Sequence, residues 1–379
     1  MEFSLDKKIR FEQVKGVGTI EATLLPNQRV YTFIGENGVG KTKFLESLFS
    51  TLLFSSNIVK NKISWVDPNF IPFKLLNLDG NTFEVIKGFN KDSNPFKNIE
   101  YSLPFVYLSA QQRGRITRHG QSISHIGNKK ERLENYIKYI LNGFNSNPEI
   151  LKNLNMDVDL EEWIVQRAQS ANPYQAKEDN REIELTTLLF LLNKVDDRID
   201  SKFIQISGDN RVFIQIEGQK RELSELSSGF SSILKIIQSI IAGYSYFTNE
   251  SQIANVQGYV LIDEIESHLH NQWQVKIIPL LKQLFPNTTF FITTHSSLVI
   301  SQLNHGEAYR LQRYEDGIVY AKLIDYPSTV SFIDLLDDTF DVNLNKLKIK
   351  WIEDEGQREA KQALLQLVQK ELVNLESGK

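Results

Sequence analysis

The chain has 379 residues, with 43 Lys+Arg against 47 Asp+Glu and a formal net charge of −4 at pH 7. Its 41% hydrophobic and 24% charged residues are ordinary for a globular protein, and the length allows about two or three domains. The absence of cysteine excludes a disulfide framework, thiolate zinc sites, iron–sulfur ligation and cysteine nucleophiles, and the near-neutral charge excludes a general basic coat for nucleic acid.

The opening residues, MEFSLDKKIRFEQVKG, lack the apolar core of a signal peptide. Residues 1–35 alternate in strand fashion, with turn signals at 16–18 and 26–27. The run VYTFI at 30–34 ends in a glycine-rich turn, and 43–53 reads as a helix. Residues 55–103 are loop-rich with short strand-like pieces, and 105–109 is a short buried-strand candidate. From 129 to about 194 the pattern is mostly helical, in segments 131–141, 159–168 and 182–192. Strands follow at 203–207 and 212–217, joined by Gly208-Asp209-Asn210, a hairpin turn.

A long helix is expected over about 229–246. Lys235 and Gln238 interrupt its apolar run, so it falls short of a membrane span, and the expectation is a cytoplasmic chain without membrane contact. The all-apolar runs at 260–262 and 290–293 are of the kind found inside parallel sheets, and 270–284 between them is helical. Strands at 308–312 and 318–324 and a charged helix over 352–375 complete the chain, with no internal repeat. Strands alternating with helices, and a helical block partway, predict a doubly wound α/β core carrying an insertion.

The chemistry-bearing residues punctuate this pattern. Gly35, Glu36, Asn37, Gly38, Val39, Gly40, Lys41 and Thr42 match G-x-x-x-x-G-K-[ST], after a strand and opening a helix. Glycines there let successive backbone N–H groups converge on phosphate oxygens, helped by the positive helix end. Lys41 would reach the β and γ phosphates of ATP, and the Thr42 hydroxyl would ligate Mg²⁺. Residues 259–262 are a buried run ending in Asp263 and Glu264, at the strand end where ligands bind in α/β sheets. Asp263 fits a Mg²⁺ partner, and Glu264 is placed to polarise an attacking water. Ser227, Ser228 and Gly229 open the long helix, either as a plain cap or as a phosphate contact. His295 ends the next buried strand, where a histidine is either structural or catalytic. Gln111 and Gln112 follow the 105–109 strand, and either could watch the metal and water.

In order, a phosphate loop, a glutamine after a strand, LSSGF, an apolar run with Asp-Glu and a strand ending in His resemble the ABC ATPase superfamily. The resemblance implies an ABC-type ATPase head, with a P-loop core sheet plus N-terminal antiparallel strands, a helical insertion and a small C-terminal α/β region. It also implies ATP and Mg²⁺ as ligands. The signature of one subunit would complete the nucleotide site of another, so a homodimer closed on ATP, or a larger assembly of such dimers, is expected. The stretch from Ile265 to Gln274, with Asn271 where proline is usual, is similar to OLD-family ATPases. Those often carry a Toprim nuclease; no D-x-D follows His295, and no HEPN or HNH pattern is present. The chain thus resembles the stand-alone OLD-like ATPases of the PtuA and AriA types, encoded beside a separate effector, commonly a nuclease, in prokaryotic antiphage systems.

The division expected is 1–112 for the N-terminal ATPase lobe, 113–201 for the helical insertion, 202–300 for the lobe with the signature, acidic pair and histidine, and 301–379 for a C-terminal region. Two further segments have two readings each. The basic run Arg113, Arg115, Arg118, Lys129, Lys130 and Arg132 is either a solvated face or a nucleic-acid contact. The stripe Ala360, Leu364, Val368 and Leu372 either packs on its own domain or meets a partner. The function expected is an ATP-hydrolysing switch controlling a separate effector. The alternatives are a RecF- or SMC-like DNA-repair ATPase and a nucleotide-dependent scaffold with little turnover.

Overall fold

The computed structural model describes residues 8–85, 87–114, 116, 126–147, 150–156, 158–171, 174, 176, 179–329, 349–350 and 361–369. The chain divides into two units at Thr329/Val330. In the first, β1 (Lys8–Val14) and β2 (Gly18–Thr23) form an antiparallel hairpin, and β3 (Val30–Ile34) is buried at every residue. The helix α1 (Lys41–Ser55) follows, then the hairpin β4 (Leu75–Leu78) and β5 (Asn81–Glu84), then β6 (Phe105–Leu108). The helical block is α2 (Lys129–Ser146), α3 (Ile150–Asn153), α4 (Leu160–Gln169) and α5 (Glu182–Val195). The strands β7 (Ile199–Ile206), β8 (Val212–Ile216) and β9 (Gln219–Glu222) make a separate antiparallel sheet. The remaining elements are α6 (Ser228–Phe247), β10 (Gly258–Ile262), α7 (Asn271–Leu284), β11 (Thr288–Thr293), α8 (Ser297–Ile300), β12 (Ala308–Arg313) and β13 (Ile318–Leu323).

The main sheet has ten strands in the order β5-β4-β1-β2-β13-β12-β3-β11-β10-β6. Its β12-β3-β11-β10-β6 half is wholly parallel. Strands with helices on both faces must be apolar throughout, and β3, β6 and most of β10 and β11 are fully buried. The other half, β5-β4-β1-β2, is antiparallel. This is the α/β class expected from the sequence. The helix α6 is buried over nearly its whole length, packed against β6 and under α2 and α5 of the helical block. Among the described residues, no helix is long and apolar enough to cross a membrane.

The expected break at 300/301 does not occur. β12 pairs in parallel with β3, Ala308 opposite Thr32, and β13 pairs in parallel with β2, Ile318 opposite Thr19. Residues 301–323 therefore join the two halves of the main sheet, and without them the edges of β3 and β2 would present unpaired backbone. Such pairing, about 300 residues apart in sequence, leaves no local pattern to read. In the second unit, residues 361–369 are helical with every side chain exposed. Leu364 and Val368 of the expected stripe are 64% and 50% exposed, while Ala360 and Leu372 lie outside the described residues.

Candidate functional site

The parallel strands β3, β11, β10 and β6 run in register, so their C-terminal ends lie along one edge of the sheet. Phe33 is opposite Thr293, Ile262 opposite Ile292, and Leu108 opposite Ile262. The edge gathers residues 35–42, 294–295, 263–264 and 109–113, which are dispersed in sequence, at the position where open α/β sheets bind ligands.

The loop from β3 into α1 is shaped by Gly40. It caps the helix with φ +112°, and a Cβ there would lie 2.8 Å from Val17 Cγ1. No acidic residue occupies the first turn of α1, so the helix's positive end is uncompensated and faces the loop. Lys41 Nζ folds back to donate to the carbonyls of Gly35 (2.8 Å) and Glu36 (3.0 Å). Burial holds its pKa below the usual lysine value, against the pull of Glu264, Asp263 and Glu266.

The Thr42 hydroxyl donates to the Asp263 carboxylate, 3.0 Å from each oxygen, across 221 residues of sequence. Thr293, on the strand between, donates its hydroxyl to Asp263 Oδ1 (2.6 Å) and accepts from the Glu264 amide (2.8 Å). Asp263 is 6% exposed. Burial pushes its pKa from the ordinary 3.8 up to about 6, with the hydrogen bonds of Thr293 and Thr42 opposing and the charges of Glu264 and Glu46 adding. A buried carboxylate and a hydroxyl form an oxygen-only donor pair that suits a hard cation. Mg²⁺ commonly takes one or two protein oxygens and completes its shell with water and phosphate. Among the described residues no group of three or more His, Cys, Asp or Glu could cage a metal.

Glu264 has φ +46°, a left-handed conformation that costs backbone energy. Ser267 Oγ donates to Glu264 Oε2 at 3.3 Å. Glu266 fixes the neighbouring turn, accepting from the Thr294 hydroxyl and from the His295 amide, both at 2.6 Å. The exposed His295 has a pKa below the ordinary histidine value, through desolvation first and the charge of Lys41 second. Gln111 and Gln112 follow β6 with exposed side chains, and neither hydrogen-bonds to Thr42 or Asp263. Ser227 caps α6 by accepting from the Phe230 amide at 3.4 Å, so the cap reading holds within one chain. Ser227 and Ser228 are exposed, Gly229 is half-buried, and no hydrogen bond links the three to residues 35–42.

The basic-segment reading is corrected at both ends. Arg113 is 0% exposed and donates to the carbonyls of Ser109 (2.6 Å), Asp263 (2.9 Å) and Glu264 (2.8 Å). Burial lowers its pKa to about 10 against the pull of Asp263, Glu266 and Glu264. It ties the end of β6 to the end of β10 and is unavailable to a nucleic-acid strand. Arg132 is 3% exposed and held by Gly127 O and Asn249 Oδ1. Lys129 and Lys130 are exposed, and Arg115 and Arg118 lie outside the described residues.

Lys235, which in the sequence only interrupts an apolar run, lies on α6 at 2% exposure and donates to Gln112 O (2.8 Å) and Met156 O (3.2 Å). It links the helix opened by Ser227 to the glutamine loop. A lysine inside an otherwise apolar helical run is the signal that could have found it. For Arg113 no local signal distinguishes a staple from a surface charge.

A family model described as "AAA domain, putative AbiEii toxin, Type IV TA system" matches residues 30–301. Septu protein PtuA of Bacillus mycoides (strain KBAB4) is 27% identical over 303 residues, 76% of this chain and 37% of that protein. "Retron Vc95 probable ATPase" of Vibrio cholerae is 38% identical over 86 residues, 22% of this chain and 16% of that protein. The chain thus spans well under half the length of these relatives. Among solved structures, an Smc head bound to the C-terminal winged-helix domain of ScpA matches 84% of this chain and 97% of its own, with a TM-score of 0.44 and 11% identity.

Proposed function

The chain belongs to the AAA-domain family matched over residues 30–301 and is an ABC-type ATPase resembling Septu protein PtuA, and on that premise we propose that it is an ATP-driven switch. The backbone amides of Gly38, Gly40 and Lys41 cradle the triphosphate, with the N-terminus of α1 behind them. Lys41 exchanges its two loop carbonyls for phosphate oxygens, which are stronger acceptors for a partly desolvated ammonium. Thr42 and Asp263 would hold Mg²⁺, which would neutralise phosphate charge. Glu264 orients and polarises the attacking water, and His295 donates toward the transferred phosphoryl group. Arg113 and Thr293 keep Asp263 and Glu264 in place. The observation that carries this reading is the Thr42–Asp263 contact, which joins the two halves of a nucleotide site across 221 residues.

Ser227, Ser228 and Gly229 of a second copy would complete the site, so ATP closes two heads and hydrolysis reopens them. The resemblance to PtuA-type ATPases supports a role in prokaryotic antiphage defence, with the cycle controlling a separate effector, a nuclease. Lys41→Ala is expected to abolish ATP binding. Glu264→Gln is expected to bind ATP, lower phosphate release at least about 100-fold and accumulate closed dimers, as seen by light scattering with and without ATP. Unchanged mass together with undiminished turnover in Glu264→Gln would refute the assignment.

A further inference from the structure

The phosphate loop borders a cavity of about 260 Å³. One wall is the loop itself, from Glu36 to Val39, and the other is the end of β12, from Arg310 to Arg313. Among the described residues no aromatic side chain lines it.

Strand order fixes what this cavity faces. β3, which leads into the phosphate loop, has β11 and then β10 on one side and β12 on the other. Asp263, Glu264 and His295 all follow β10 or β11, so the cleaved end of a triphosphate on the loop points to that side. Its other end, which carries the nucleoside, points toward β12 and into the cavity.

Arg313 is built firmly into the β12 wall. Its Nη1 donates to Gly317 O in the β12–β13 turn, and its Nη2 to Val17 O in the β1–β2 loop, both at 2.8 Å. Val17 in turn packs on the phosphate loop, where a Cβ at Gly40 would lie 2.8 Å from its Cγ1. The guanidinium is therefore fixed in place relative to a bound triphosphate. All its N–H bonds lie in one plane, so both contacts are made at its edge and leave its faces for stacking. The side chain is exposed, and the neighbouring Gly18 has none of its own to cover it. A flat cation held by its edge is a platform for an aromatic ring, and guanidinium planes stack on nucleobases.

From this placement we infer that Arg313 holds the base of the nucleotide, the ring lying on its guanidinium face in the cavity between the phosphate loop and β12. The inference rests on residues 35–42 binding a triphosphate. It gives the site a base contact without an aromatic side chain. Stacking reads the face of a base and not its hydrogen-bonding edge, so adenine and guanine are accepted alike.

The test uses the full chain carrying Glu264→Gln, so that bound nucleotide is not turned over. ATP, GTP and tripolyphosphate, each with Mg²⁺, are titrated by calorimetry. ATP and GTP should bind with Kd values within about threefold of each other. Arg313→Lys keeps the charge but loses the flat face. It should weaken ATP and GTP at least about tenfold and leave tripolyphosphate within about twofold. Arg313→Tyr, which offers a flat face without the charge, should bind ATP more tightly than Arg313→Lys does. The inference is overturned if Arg313→Lys binds both nucleotides as Arg313 does, or if Arg313→Tyr binds ATP no better than Arg313→Lys. It is overturned equally if tripolyphosphate weakens by the same factor as ATP, because Arg313 would then only brace the two loops. If neither ATP nor tripolyphosphate binds with Arg313 in place, the phosphate-loop reading itself fails, and this inference with it.

Discussion

Asp263 illustrates how a site residue can oppose stability. Its carboxylate is buried, receives hydrogen bonds from Thr42 and Thr293, and has its pKa pushed from 3.8 to about 6. Between those values the folded chain retains a proton that the unfolded chain has released. The contribution of Asp263 to folding stability without nucleotide therefore falls as pH rises from about 4 to about 6 and stays low above that window. Asp263→Asn removes this dependence. The variant is expected to be about 1–3 kcal/mol more stable than the parent at pH 7 and nearly equal to it near pH 4, in urea melts without nucleotide. It should also lose the stabilisation that Mg²⁺ and ATP give the parent. A variant less stable than the parent at pH 7 would show that the two threonine hydroxyls depend on the negative charge. The Asp-Glu pair itself was legible at the end of an apolar run. Thr293 and Arg113, which hold it, were not, because each acts across strands that only folding brings together.

At the scale of elements, α6 connects the signature residues to the sheet. It opens with the Ser227 cap, is tied through Lys235 to the glutamine loop and presses on β6 through Gly243. A Cβ at Gly243 would lie 2.4 Å from Val106 Cγ2 and 2.7 Å from Cγ1, and Val106 is fully buried. Alanine is the better helix former by about 1 kcal/mol, yet here it must push the helix off the strand. Gly243→Ala is therefore expected to cost about 1–3 kcal/mol in urea denaturation, the overpacking penalty exceeding the propensity gain. A gain in stability would mean that α6 and β6 separate easily. The sequence marked α6 as a long apolar helix and β6 as a buried strand; their contact through a glycine depends on packing distance, which periodicity does not encode.

For the whole molecule, the proposed catalytic unit is larger than one chain. The residues of 35–42 and 263–264 lie on the sheet edge, while Ser227 and Ser228 are exposed at the start of α6 without hydrogen bonds to them. A composite site predicts complementation. Lys41→Ala keeps an intact signature and Ser228→Arg keeps an intact phosphate loop, so each alone should be inactive, whereas their mixture should recover part of the parent turnover through mixed dimers. Phosphate release measured on the two variants separately and mixed tests this, and no recovery at any mixing ratio would favour a site contained in one chain.

The sequence by itself determined the α/β class, the order of most strands and helices, and the phosphate-loop and acidic motifs. These depend on local periodicity, on glycines at turns and on residues adjacent in the chain. Tertiary structure alone decided the rest. It drew β12 and β13 into the main sheet, turned Arg113 from a surface charge into a buried staple, and tied Arg313 to the β1–β2 loop beside the phosphate loop. Each of those outcomes depends on which distant backbone or side chain lies within hydrogen-bond reach, and burial sets whether a charge is solvated or must find a partner.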